Sequence, residues 1–149
     1  MDRFITRTEE YIREGNLLGK GGRLVAGISG GVDSVCLLEV LDTLRAKWDW
    51  DVTAVHIHHG IRGESADEDM EFVRMLCRAK KIDCHVHRVD VPAVARERGL
   101  GEEEAGRIVR REILESELAG RGRIVLAHHA DDNAETLLLN LCRGSGLYG

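Results

Sequence analysis

The stretch "VAGISGGVDSVCLL", from Val25 to Leu38, constrains the fold more than any other part of this chain. Apolar residues run straight into Ser29-Gly30-Gly31-Val32-Asp33-Ser34, and an apolar helical pattern follows at once. A strand passing into a helix through adjacent glycines reads as one half of a βαβ unit. Glycines at such a turn let the backbone take positive φ and approach a ligand closely. The helix N-terminus behind them offers N–H groups and the positive end of a dipole. Ser29 and Ser34 add hydroxyls. Residues Ser29 to Ser34 are therefore a candidate phosphate or pyrophosphate site, lying beyond the carboxyl end of a strand. The alternative is a plain βα turn with Asp33 or Ser34 as N-cap. Neither G-x-x-x-x-G-K-S/T nor G-x-G-x-x-G occurs, so a Walker loop and a dinucleotide fingerprint are both excluded. Asp33 within an anion loop calls for a cation, and a carboxylate there suits Mg²⁺ held against phosphates.

The rest of the chain repeats the strand–helix alternation. Residues 3–14 read as an amphipathic helix with Phe4, Ile5, Tyr11 and Ile12 near one face, and 15–22 as a glycine-rich break. Strands are expected at 23–28, 51–57, 82–90 and 123–127. Helices are expected at 33–47 (Leu37, Leu41, Leu44 and Trp48 forming its stripe), 65–81, from Pro92 to Gly99, 102–119 and 131–142. Ser65-x-x-Glu68 fits a capping box. The pattern predicts an α/β fold, a doubly wound, mostly parallel sheet with helices on both faces and right-handed crossovers. The sequence stops just after a predicted helix, where the alternation calls for another strand. The expectation is a single domain over 1–149 that is C-terminally truncated and lacks its last strand.

Composition narrows the classes. A chain of 149 residues with 43% hydrophobic and 32% charged residues is globular in character. It contains no apolar run long enough to span a membrane, and its start lacks a secretory core, so the cytoplasm is expected. Cys36, Cys77, Cys84 and Cys142 form no C-x-x-C pair, so zinc or iron–sulfur spacing is absent. The net charge of −5 does not suggest a nucleic-acid binder unless a local patch supplies the contacts.

Two further clusters fall at predicted strand ends on the same edge as the glycine loop. "HIHHGIRGE" begins at His56; "LAHHADDNAETLLLNLCRGSG" begins at Leu126. Asp131, Asp132 and Glu135 share a face at the first turn of the expected helix. One acid suffices for capping; three beside His128 and His129 point to a metal and a substrate-orienting role. The two histidines lack a third nearby ligand for zinc and read as polar contacts or as satisfied structural residues. Arg107 and Arg110 lie three apart on one helical face. They are a solvated face with i, i+4 partners, or cations for a phosphate or a developing negative charge.

Ser-Gly-Gly-x-Asp-Ser after a strand resembles the pyrophosphate loop of the N-type ATP pyrophosphatases, the PP-loop family, with a Rossmann-like fold. With "EEAGRIVRRE" (103–112) and the His-His-x-Asp-Asp-x-x-Glu-Thr block, residues 23–146 resemble the tRNA(Ile)-lysidine synthase family. His58 stands where that family has Asn or Asp, Ile61 where it has Leu, Gly106 for Ala, Arg111 for Tyr and Asn133 for Gln. The resemblance implies an N-terminal PP-loop nucleotide-binding catalytic domain, the later domains being absent. It implies a ligase that uses ATP and Mg²⁺ to convert the wobble cytidine of isoleucine tRNA to lysidine, with free lysine as second substrate. ATP would be bound by Ser29, Gly30, Gly31, Val32, Asp33 and Ser34, and Mg²⁺ by Asp33, Asp131 and Asp132. The catalytic set would be Asp33, Arg107, Arg110, Asp132 and Glu135, with His59, Arg62, His128 and His129 contacting substrate. A tRNA-thiolating PP-loop enzyme and a non-catalytic adenine-nucleotide module are the alternatives. The oligomeric state is open.

Overall fold

The computed structural model describes residues 2–60, 64–129 and 137–142. In chain order the elements are α1 (Asp2–Glu14), β1 (Arg23–Gly27), α2 (Val32–Trp48), β2 (Asp51–His58), α3 (Glu64–Lys80), β3 (Asp83–Arg88), α4 (Val91–Arg98), α5 (Glu102–Leu118), β4 (Arg123–His129) and β5 (Leu137–Cys142). The strands form one sheet in the order β3-β2-β1-β4-β5. β1 pairs in parallel with β2 and β4, and β2 in parallel with β3. The strand order reverses at β1, so the crevice between the ends of β1 and β4 is the topological switch point, where doubly wound sheets bind ligands.

Alternation along the strands assigns the two faces. Leu24, Ala26 and Ile28 of the β1 segment, with Val52 and Ala54 of β2 and Val125 of β4, pack with Ile5 and Ile12 of α1, the leucines of α2, and Val73 and Cys77 of α3. Val25, Val55 and Ile124 point the other way, onto Leu114 and Leu118 of α5. A third, small cluster joins α4 to α5 through Val91, Ala95 and Ala105. Burying these side chains on both faces is the main stabilising contribution, roughly 1.5–3 kcal/mol for each large one.

Local signals account for most boundaries. Pro92 stands in the first turn of α4, Asp90 caps that helix by accepting the Ala93 N–H at 3.0 Å, and Gly99 ends it in the left-handed region. α2 ends at a left-handed Asp49 whose N–H reaches the Arg45 carbonyl. In α1 the buried stripe is Ile5, Thr8, Glu9 and Ile12, whereas Tyr11 is turned outward. α3 begins at Glu64, so Ser65 lies inside the helix rather than capping it.

One expectation is overturned. Residues 137–142 are not part of a helix. They form a strand antiparallel to β4, with Ile124 opposite Cys142 and His129 opposite Leu137. The run Leu-Leu-Leu-Asn-Leu-Cys is apolar but for Asn140, and periodicity cannot separate a buried helix from a buried strand in so short a segment. The edge of β4 is therefore paired by β5; residues 130–136 lie outside the described part.

Candidate functional site

The turn after β1 is braced by its own serines. Ser34 is buried, and its hydroxyl accepts the Gly30 N–H at 3.0 Å and donates to the Gly31 carbonyl at 3.0 Å. Ser29 Oγ lies 3.2 Å from Ser34 Oγ and accepts the Gly31 N–H at 3.3 Å. Gly30 has φ +100°, and an added Cβ would sit 3.4 Å from Asp69 Cβ of α3. A side chain there would be strained by the backbone conformation and would rest in contact with α3. Gly31 is the N-cap of α2 with extended backbone, and no side chain caps the helix. An uncapped helix start behind a glycine turn is a ready anion site.

This turn forms one wall of a cavity of about 510 Å³, which Ser29, Gly31, Val32, Asp33 and Ser34 all line. The opposite wall is apolar: Val55 and Ile57 of β2, Leu114 of α5 and Leu126 of β4. A phosphate-type turn facing an apolar slot suits a nucleotide, with the base in the slot and the phosphates at the helix start. His59 and Arg110 also line it. Both also line a neighbouring cleft of about 870 Å³ with Arg107, Gly106 and Glu102 to Glu104.

Two of these side chains differ in readiness for a ligand. Arg107 is paired with Glu104 at 2.9 Å, one helical turn away. Arg110 is exposed at the junction of the two hollows and makes no hydrogen bond or ion pair among the described residues. Its charge also acts on His59, whose imidazole is held below its ordinary pKa, first by burial and then by Arg110. Both effects favour its neutral form, a hydrogen-bonding group rather than a second cation.

The three histidines of β2 and its exit separate by the pleat. His59 faces the cavity, with Val55 and Ile57. His56 is buried on the other face and its Nδ1 donates to the Ile28 carbonyl at 2.8 Å, tying β2 to the end of β1. His58 is likewise buried on that face, 2.8 Å from Asp67. Sequence inspection does not single out His56, Val55, Ile57, Leu114 or Leu126. A strict two-residue alternation through "AVHIHH" is the signal that separates them.

Asp33 is the carboxylate that the structure places on the cavity wall. Among the described residues no group of three or more Asp, Glu, His or Cys side chains is arranged to hold a metal ion. A single carboxylate is enough for Mg²⁺ when phosphate oxygens and water supply the other positions, so Asp33 fits the ion. Asp131, Asp132, Glu135 and Arg62 lie outside the described residues. His128 and His129 close β4 at the carboxyl end, the edge that carries the cavity.

The comparisons with known proteins agree with this layout. A family model described as the PP-loop domain matches residues 2–149. Among curated relatives, the tRNA(Ile)-lysidine synthase of Caldanaerobacter subterraneus subsp. tengcongensis is 43% identical over 97% of the chain and 32% of that protein. Those of Geobacillus kaustophilus and Porphyromonas gingivalis are 41% and 46% identical, over 95% and 96% of the chain and 31% of each relative. The chain thus spans about a third of the length of these relatives. Among solved structures, a U34-tRNA thiolase from Methanococcus maripaludis with its 4Fe–4S cluster superposes with a TM-score of 0.71 at 18% identity, over 88% of this chain and 48% of that one. An NH3-dependent NAD synthetase from Campylobacter jejuni gives 0.54 at 15%, over 84% and 52%. These two show a shared fold. A glycine turn at the switch point, an uncapped helix behind it, and a family model that matches nearly every residue lead to one conclusion: the chain belongs to the PP-loop domain family.

Proposed function

We propose that this chain is the ATP-binding, adenylating domain of a tRNA(Ile)-lysidine synthase. The observation that carries the reading is the Ser29–Ser34 turn, uncapped at α2, lining one cavity with an apolar slot and with Arg110. The curated relatives at 41–46% identity, named tRNA(Ile)-lysidine synthase, support the reading. ATP lies with its adenine between Val55, Ile57, Leu114 and Leu126. The β- and γ-phosphates rest on the turn and the start of α2.

The chemistry has a stated difficulty. The carbonyl oxygen of cytosine is a poor leaving group. It attacks the α-phosphorus, the bond to the β-phosphate breaks, and pyrophosphate departs from the turn. The amine of free lysine then attacks the activated ring carbon, and AMP leaves with the oxygen. Arg110, and Arg107 once released from Glu104, stabilise the charge that builds on the phosphorus oxygens. Asp33, with Asp131 and Asp132, would hold Mg²⁺, which when bound would supply charge neutralisation for the pyrophosphate. Asp132 or Glu135 takes the proton that the lysine amine must lose. Arg62, His59, His128 and His129 contact the substrates. With tRNA as substrate, the compartment is the cytoplasm. Among the described residues no helix is long and apolar enough to cross a membrane.

Thiolation, the activity named for the superposed thiolase, is the weaker reading. Cys36, Cys77 and Cys84 are free thiols and none lines the cavity. Calorimetry with Mg–ATP, on this chain and on Asp33→Ala, tests the proposal. Magnesium-dependent binding that falls at least about tenfold in the variant is expected. Folded wild-type protein that ignores ATP, in this chain and in its full-length form, would overturn it.

A further inference from the structure

We infer that His58 is a positioning residue that braces both loops of the nucleotide cavity with its two ring nitrogens; this rests on the nucleotide reading of that cavity. His58 does not touch the cavity. It is 7% exposed and sits on the opposite face of β2. Its Nδ1 accepts the N–H of Gly60 at 3.1 Å. A ring nitrogen that accepts carries no proton, so the hydrogen is on Nε2, which donates to Asp67 Oδ1 at 2.8 Å. The tautomer is set by the two partners together.

Each arm holds one side of the site. Acceptance of the N–H two residues ahead is the contact by which Asn and Asp side chains shape turns. Here an imidazole makes it. The turn it shapes is tight: Gly60 has φ +74°, and a Cβ there would lie 2.6 Å from the Val89 carbonyl. Backbone bonds from Val89 N–H to His58 and from Val91 N–H to His59, at 2.9 and 3.3 Å, fix the same segment. His59, which faces the cavity, is carried between these points. The other arm reaches α3 at Asp67. Two residues on, Asp69 is the side chain that a Cβ on Gly30 in the phosphate turn would meet first, at 3.4 Å. One side chain thus links the exit of β2 to the helix against which the turn after β1 rests.

The tautomer and the turn are testable without any ligand. Nitrogen-15 spectra should show His58 with an unprotonated Nδ1 and a protonated Nε2. The Gly60 amide should be protected from exchange in wild type, lose that protection in His58→Leu, and recover it in His58→Asn, which keeps a turn acceptor. Mg–ATP affinity should fall about tenfold in His58→Leu and stay within about threefold of wild type in His58→Asn. A protonated Nδ1 overturns the inference. So does Gly60 protection or ATP affinity that is equal in His58→Leu and wild type, or equally lost in both variants. If wild type binds no ATP, the nucleotide reading fails, and the exchange and tautomer results still decide whether His58 holds the turn.

Discussion

The two ends of α2 are built on opposite plans. At its C-terminus everything is tied down. Asp49 closes the helix, Trp48 Nε1 donates to Glu9 at 2.8 Å, Lys47 and Arg13 reach the same carboxylate at 2.8 and 3.1 Å, and Trp50 Nε1 donates to the Gly19 carbonyl. The two indoles stack with centroids 5.2 Å apart, and the Arg13 guanidinium lies over Trp48. At the N-terminus Gly31 offers no cap, Val32 is 74% exposed, and the turn holds itself with two serine hydroxyls. A helix end closed by protein groups serves stability, whereas one left uncapped can be completed by a ligand. The contrast teaches that local stabilisation and function are divided between the ends of one element.

Mutations at the two ends should therefore separate stability from binding. The largest effect is expected for Trp48→Ala, which removes a packed ring and a hydrogen bond. It should cost about 3 kcal/mol in chemical denaturation, with Mg–ATP affinity of the folded protein unchanged. Equal loss of affinity would break the contrast. Next comes Gly30→Val, which puts a β-branched residue at φ +100°. It should cost about 2 kcal/mol and abolish detectable ATP binding by calorimetry, the reverse balance.

Glu9→Gln is smaller and depends on pH. Glu9 is buried, and its carboxyl is held below its ordinary 4.5, chiefly by the Lys47 hydrogen bond; burial acts against this, while Trp48, the Lys47 charge and Arg13 add to it. A lowered folded-state value gives stability that is present above the unfolded-state value and lost as pH falls through the folded one. The variant should be about 1.5 kcal/mol weaker at pH 7, and the deficit should shrink steadily below pH 4.5. A deficit that is constant with pH would remove the charge from the account. The smallest effect on stability is expected for Ser29→Ala. Ser29 is exposed, so unfolding should shift by less than about 0.5 kcal/mol. ATP affinity should still fall about threefold, since the hydroxyl that accepts the Gly31 N–H is gone.

The turn after β1 is legible in the sequence because its signals are local: an apolar run, two glycines and a helical stripe. The stripe Leu37, Leu41, Leu44 was equally plain, and all three are buried. Tyr11 was misplaced because a helix face is read at 100° per residue, and Thr8 and Glu9 take the inner position that an apolar bias denies them. The strand at 137–142 was read as helix because its partner, β4, is known only from the fold. Arg107 and Arg110 looked equivalent by spacing. Only the placement of Glu104 and of the two hollows distinguishes them. His58 appeared as a departure from a family pattern. Its hydrogen bond to Gly60 shows an imidazole doing what a short polar side chain does in a turn.

The cavity is lined from four separated stretches of chain: the turn at Ser29, the exit of β2 at His59, α5 at Arg110 and β4 at Leu126. They meet only when β1 has paired with both β2 and β4. A partly folded chain therefore has no half-affinity for the ligand, and occupancy is linked to the global folding equilibrium. Nucleotide at a hundredfold over its dissociation constant would add about 2.7 kcal/mol to the stability of the whole domain. On the proposed function, nucleotide would then act as a folding ligand for the sheet.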